Sequence, residues 1–232
     1  MHVFLFTLGP RDQLAEGALQ QLATEAGVPE TAVTLIDNLG ERAVSREPAL
    51  ATLFSSAEPC LAGASRPRVA QALLDFAGNA VYTKPITWRS LPYRERALNE
   101  EFGVPWYPTI DRSRCTGCGT CEDYCLFSVY TLERQRPPNE RVRVSSPLNC
   151  KTGCPACARL CPTGALIFPF CAEAALNGSL ENPQPRTTED ALATLGKDPL
   201  KVLAERRAKK QLLDPEKFQQ AEKDRIFYSG VL

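Results

Sequence analysis

Over its first hundred residues the chain alternates short apolar runs with amphipathic stretches. V-F-L-F-T-L from Val3 reads as a strand closed by Gly9 and Pro10. Across 12–26, Leu14, Ala18, Leu19, Leu22 and Ala26 recur at helical spacing, and Gly27 and Pro29 end that helix. T-A-V-T-L-I from Thr31 predicts a second strand, P-A-L-A-T-L-F-S-S from Pro48 a short helix, and P-C-L-A-G-A from Pro59 a third strand. Ser65 caps the next predicted helix, with Pro67 in its first turn, Gly78 just past its end, and an inner face of Val69, Leu73 and Phe76. P-I-T-W-R-S-L predicts a fourth strand, and Pro92 opens a helix over Y-R-E-R-A-L-N-E-E-F. Strands alternating with helices predict a small parallel sheet. Residues 1–102 are therefore expected to form a separate α/β domain. It has neither G-x-G-x-x-G nor a P-loop, so no nucleotide is assigned to it. Its one candidate ligand site is the turn Ser65-Arg66-Pro67-Arg68, where a helix N-terminus and two arginines favour an anion. The plainer reading, a capped surface helix with solvated arginines, is preferred.

The rhythm breaks at G-V-P-W-Y-P-T-I, residues 103–110, where Trp106 and Tyr107 are expected to cover the domain junction or one metal centre; the plainer reading, a hydrophobic staple with no redox role, is preferred. Beyond it the apolar runs are shorter: P-T-I-D, V-Y-T-L-E, R-V-R-V-S and A-L-I-F-P. From Asn177 the chain turns polar and turn-rich. It then offers two amphipathic stretches, D-P-L-K-V-L-A-E-R-R-A-K-K-Q-L-L and D-P-E-K-F-Q-Q-A-E-K-D-R-I-F, with Pro215 in the first turn of the second. Residues 176–232 are expected to be a linker and a helical tail that docks on its own chain. The whole is thus expected to be α+β: the α/β domain, a central domain over 103–175, and the tail.

Chemistry concentrates in the centre. Eight of the ten cysteines lie between Cys115 and Cys161, as C-T-G-C-G-T-C-E-D-Y-C and then C-K-T-G-C-P-A-C-A-R-L-C-P. Cysteines three apart sit on tight turns, so their sulfurs can converge, and a glycine among them can take positive φ and turn backbone amides toward those sulfurs. Gly117, Gly119 and Gly153 hold such places. Zinc knuckles also use C-x2-C pairs, but two groups of four ending in x3-C fit iron–sulfur better. A disulfide framework needs an oxidising compartment, and M-H-V-F-L-F-T-L-G-P has no basic n-region or A-x-A site. C-K-T-G-C-P-A-C has the C-x3-C-x2-C spacing of radical-SAM enzymes, yet the chain that follows has few strand-like runs for their barrel. Cys60 and Cys171 are left over and read as plain core or surface residues.

Charge adds little: 27 basic residues balance 27 acidic ones, so no polyanion partner is indicated and no nucleic acid is expected. No apolar run reaches the length of a membrane span. The single histidine, His2, excludes Rieske ligation, which takes two, and makes a hydrolytic triad improbable.

The first run, Cys115, Cys118, Cys121 and Cys125, has the C-x2-C-x2-C-x3-C spacing of bacterial ferredoxins. The second, Cys150, Cys154, Cys157 and Cys161, matches apart from one extra residue between its first two cysteines, and Pro162 follows as the motif expects. Over about residues 105–171 the chain resembles the bacterial-type two-cluster 4Fe-4S ferredoxin family. Leu126 stands where that family has a proline. The resemblance implies two 4Fe-4S clusters as cofactors, all eight cysteines as ligands, and no catalytic residue. It also implies crossed ligation: Cys115, Cys118, Cys121 and Cys161 on one cluster, and Cys150, Cys154, Cys157 and Cys125 on the other. The function implied is one-electron transfer to and from redox partner proteins in the cytoplasm. The chain would be a free carrier, or else the electron-relay subunit of a larger oxidoreductase; a redox or oxygen sensor is the third possibility.

Overall fold

Four of the apolar runs join one parallel sheet in the computed structural model, which describes residues 2–9, 12–54, 58–95 and 105–180. Along the chain its first half comprises β1 (His2–Phe6), β2 (Asp12–Leu14), α1 (Ala18–Ala26), β3 (Val33–Ile36), α2 (Leu39–Val44), α3 (Pro48–Thr52), β4 (Cys60–Ala64), α4 (Pro67–Phe76), β5 (Ile86–Ser90) and β6 (Tyr93–Glu95). The sheet order is β3-β1-β4-β5, with Val3 opposite both Val33 and Leu61. Strand β1 is apolar on both sides because both of its faces are covered. Phe4 and Phe6 enter one core with Leu50, Phe54, Val69 and Leu73, and Val3 and Leu5 enter another with Ala18 and Leu22 of α1.

Three local expectations change. Residues 12–14 are a strand, paired antiparallel with Tyr93–Glu95, and the helix starts only at Ala18. The helix expected from Pro92 is therefore a strand in its first residues; the rest of it lies outside the described residues. Arg66, not Ser65, occupies the N-cap of α4, and no side chain caps it. The helix α2 had no sequence signal, because Gly40 argues against one. Its glycine has a packing reason: a Cβ there would strike the ring of Phe170 and lie 3.0 Å from the Leu8 carbonyl oxygen.

The second half contains β7 (Thr109–Ile110), α5 (Thr120–Tyr124), β8 (Tyr130–Leu132), β9 (Val142–Val144), α6 (Ala156–Leu160) and β10 (Leu166–Ile167). β7 pairs with β10 and β8 with β9, both antiparallel, so each cysteine run leaves a strand, turns through a short helix and returns to a strand. Ile110, Val129, Val142, Val144, Leu166 and Phe168 form the core beneath, and Cys121 and Cys171 are buried in it. Cys60 is buried in β4, its thiol directed at the Glu58 carbonyl at 3.3 Å. The expected helices of the tail lie outside the described residues.

Helix α4 joins the halves. Phe76 packs against both cores and stacks on Tyr107 at 5.3 Å, whose hydroxyl donates to the Gly40 carbonyl. Trp106 packs on Phe168 at 5.1 Å. The two arginines of the α4 turn are neither solvated nor free for an anion. Arg66 is 5% exposed and donates to the carbonyls of Asn177 at 2.7 Å and Pro169 at 3.1 Å. Arg68 pairs with Asp111 and donates to the Gly164 carbonyl, and Arg112 returns the contact by pairing with Asp75 at 2.8 Å. The expected anion site is thus a clamp between the sheet half and the cysteine half.

Candidate metal centres

Each cysteine run is shaped by its own turn. Before the first, Asp111 accepts from Ser113 N–H at 3.0 Å and Ser113 O–H at 2.6 Å, and its own carbonyl takes the Cys115 N–H at 3.0 Å. Gly117 has φ +66° and Gly119, the N-cap of α5, has φ +87°, values open to glycine at little cost. Cys121 then lies on α5 and Cys125 ends it in an extended conformation, φ −79° and ψ 111°. The second run repeats the plan: Cys157 lies on α6 and Cys161 ends it at φ −68° and ψ 114°. The extra residue is absorbed by a turn in which Cys154 N–H donates to the Lys151 carbonyl at 3.0 Å, with Gly153 at φ +76°.

The extended ending at Cys161 accompanies its place beside the first run. One small pocket is lined by Cys115, Cys118 and Cys121 together with Cys161, and by Ile110, Val142 and Leu166. Burial pushes Cys121 up, and Cys161, Cys115, Cys157 and Cys118 add to the rise, so thiols of both runs act on it. Burial pushes Cys150 up to about 12, with Cys157, Cys154 and Cys125 contributing, and Cys157 up to about 11, with Cys125 and Cys154 contributing. Cys118 is the exposed member of its set. Burial there is outweighed by hydrogen bonds from Thr120, Thr116 and the backbone, which lower its thiol. All ten cysteines are free. Among the described residues no three His, Cys, Asp or Glu side chains gather closely enough to hold a single metal ion. Sulfurs spread around an open space suit a polynuclear cluster, and a site holding such a cluster needs its thiols deprotonated.

A family model described as a 4Fe-4S dicluster domain matches residues 114–165. Ferredoxin-3 of Nostoc sp. is 35% identical over 77 residues, covering 26% of this chain and 78% of that protein. The chain belongs to the dicluster 4Fe-4S ferredoxin family. Its cofactors are two 4Fe-4S clusters, and the two sets of four free thiols fit them. Within this family the chain is also similar to the methylamine utilization ferredoxin-type protein MauM of Methylophilus methylotrophus, 52% identical over 33 residues, 14% of this chain and 15% of that protein. The thiosulfate reductase electron transfer subunit PhsB of Salmonella typhi is 37% identical over 60 residues, 25% of this chain and 31% of that protein. The chain thus spans less than a third of the length of either of these two. No solved structure matches. These ferredoxin-type matches fall on the cysteine half, and among the described residues no helix is long and apolar enough to cross a membrane.

Leu126, where the family has proline, is 74% exposed, and Ser128 just beyond takes φ +52°. Sequence reasoning missed Tyr130, whose hydroxyl donates to Cys157 Sγ at 3.0 Å, whereas it did single out Trp106, which packs against the core of the cysteine half. Aromatic spacing alone carries no signal that a hydroxyl faces a sulfur.

The glycines give a contrast that can be measured. At Gly117 a Cβ would run into the Pro138 carbonyl and lie 3.0 Å from Arg141 Cδ, whereas at Gly153 it would meet nothing within 4 Å. Gly153→Ala should cost only the left-handed backbone strain, about 1–2 kcal/mol, and keep its iron. Gly117→Ala adds a backbone collision and should lose the iron of one cluster, about four per chain. Equal iron in the two purified variants would refute the collision.

Proposed function

We propose that this protein is an electron carrier whose eight cysteines hold its two clusters in crossed sets. The observation that supports this reading is the pocket in which Cys161, from the second run, joins Cys115, Cys118 and Cys121. When bound, each cluster accepts and returns one electron. The chain's own part is to hold the thiolates, to exclude water with Ile110, Val142 and Leu166, and to keep the two sets adjacent through the contact of α5 with α6. Every thiol in each set is a ligand in this reading, so no position is left for substrate and no residue is catalytic.

The second reading, a relay subunit of a larger oxidoreductase, is supported by the sheet half. It shares Tyr107, Ile167 and Phe170 with the cysteine half and contributes no cysteine to either run. In both readings residues 1–102 supply recognition of a redox partner. The free thiols favour a reducing compartment such as the cytoplasm.

Anaerobically purified protein should contain about eight irons and eight sulfides and take up about two electrons per chain in a reductive titration. Bound zinc, or uptake of no electrons by the iron-loaded protein, overturns the proposal. On a sizing column, elution of the native protein from its own extract near 25.5 kDa favours the carrier, and elution within an assembly favours the subunit.

A further inference from the structure

Two aromatic side chains beside the second set of thiols, Tyr130 buried and Trp106 partly buried, carry buried polar hydrogens, and neither belongs to the cysteine motif. Tyr130 is 5% exposed and donates to Cys157 Sγ at 3.0 Å. Trp106 lies on Phe168, and its Nε1 is buried with no acceptor at hydrogen-bonding geometry among the described protein groups. A buried donor left in that state costs about 1–3 kcal/mol, so a native indole N–H in this position calls for a partner the polypeptide does not supply. Trp106 and Cys150 pack against the same core of the cysteine half. The first set has different donors. Its Cys118 is exposed beside the Thr120 hydroxyl at 3.3 Å, and Cys161 Sγ receives the Ala165 N–H at 3.3 Å.

We propose that Trp106 and Tyr130 are positioning residues that donate hydrogen bonds to the sulfur of the cluster held by Cys150, Cys154, Cys157 and Cys125, raising its reduction potential. The physical reason is charge. Reduction makes the cluster more negative, and a fixed donor to its sulfur stabilises that state more than the oxidised one. In water-filled surroundings a solvent molecule would replace the donor; the buried Tyr130 ring and the buried Trp106 Nε1 are where a protein donor counts most. This inference rests on the crossed-ligand reading above.

The test is an EPR-monitored redox titration of holoprotein with dithionite, comparing wild type with Trp106→Phe and Tyr130→Phe. Both variants keep the ring and lose only the polar hydrogen. Each should retain full iron and shift the oxidised-to-reduced ratio of one cluster about fivefold toward oxidised at a given potential, from a hydrogen bond worth about 1 kcal/mol. For a one-electron couple that is a fall of about 40 mV. The other cluster should stay where it is, and the double variant should move the same cluster further. Unmoved potentials at full iron, or both clusters moving together, overturn the inference. Loss of iron from both variants also overturns it, because the donors would then be holding the cluster and not tuning it. Failure of the underlying reading looks different: wild type itself would fall short of about eight irons per chain.

Discussion

Cys161→Ala combined with Cys118→Ala should lose one cluster, whereas Cys161→Ala combined with Cys154→Ala should lose both. Cys161 lies in the same run as Cys154, so run-by-run ligation predicts the reverse. The crossed outcome is expected because Cys161 ends α6 in an extended conformation and lines the cavity of Cys115, Cys118 and Cys121. Cys125 ends α5 in the same way and is among the thiols that raise Cys150 and Cys157. Iron after anaerobic purification reads the result: about four per chain in the first double variant and close to none in the second. Cys125→Ala with Cys150→Ala, the mirror pair, should again keep about four. The opposite pattern would refute the crossing and leave the two-cluster composition standing.

Asp111→Ala should be the most damaging substitution outside the cysteines. Asp111 is 1% exposed and holds three things at once: the Arg68 guanidinium, both donors of Ser113, and through its carbonyl the turn into Cys115. Removing the carboxylate leaves Arg68 half-buried beside α4 without its counter-charge, a change that costs about 3–5 kcal/mol in buried pairs. It also frees the turn that presents the first cysteine. The holoprotein should therefore unfold at markedly lower denaturant and shed iron from one cluster first. Asp111→Asn keeps the Ser113 contacts and should fall between the two. A denaturation midpoint for Asp111→Ala equal to wild type would mean the clamp contributes nothing to holding the halves together.

Physical reasons separate what was readable from what was not. The central chemistry was legible because cysteine spacing is a local property. Runs three and four apart dictate tight turns ending in a one-turn helix, and Gly117, Gly119 and Gly153 take the positive φ their places suggested. The two central parallel strands were legible for a similar reason, since a strand covered on both faces must be continuously apolar, as V-F-L-F and C-L-A-G-A are. Residues 12–14 and 93–95 were not. Glu, Arg and Leu there favour helix in isolation, and only pairing between segments some eighty residues apart, an arrangement no local pattern encodes, makes them a ribbon.

By itself the sequence determined the cofactor class, the two cysteine runs and the alternation that builds the sheet, all of which follow from spacing within a dozen residues. Tertiary structure alone decided how the halves meet. Arg66 and Arg68 look like solvated charges or an anion site until the carbonyls of Pro169, Asn177 and Gly164 and the carboxylate of Asp111 arrive from about a hundred residues downstream or nearer. Gly40 looks like a helix breaker until Phe170 presses on it. Trp106 looks like a staple until its indole N–H is found buried, without an acceptor among the described protein groups, on the core that Cys150 also packs against. In each case the deciding partner is distant in sequence, and a polar group's role depends on what desolvates it and what it then meets.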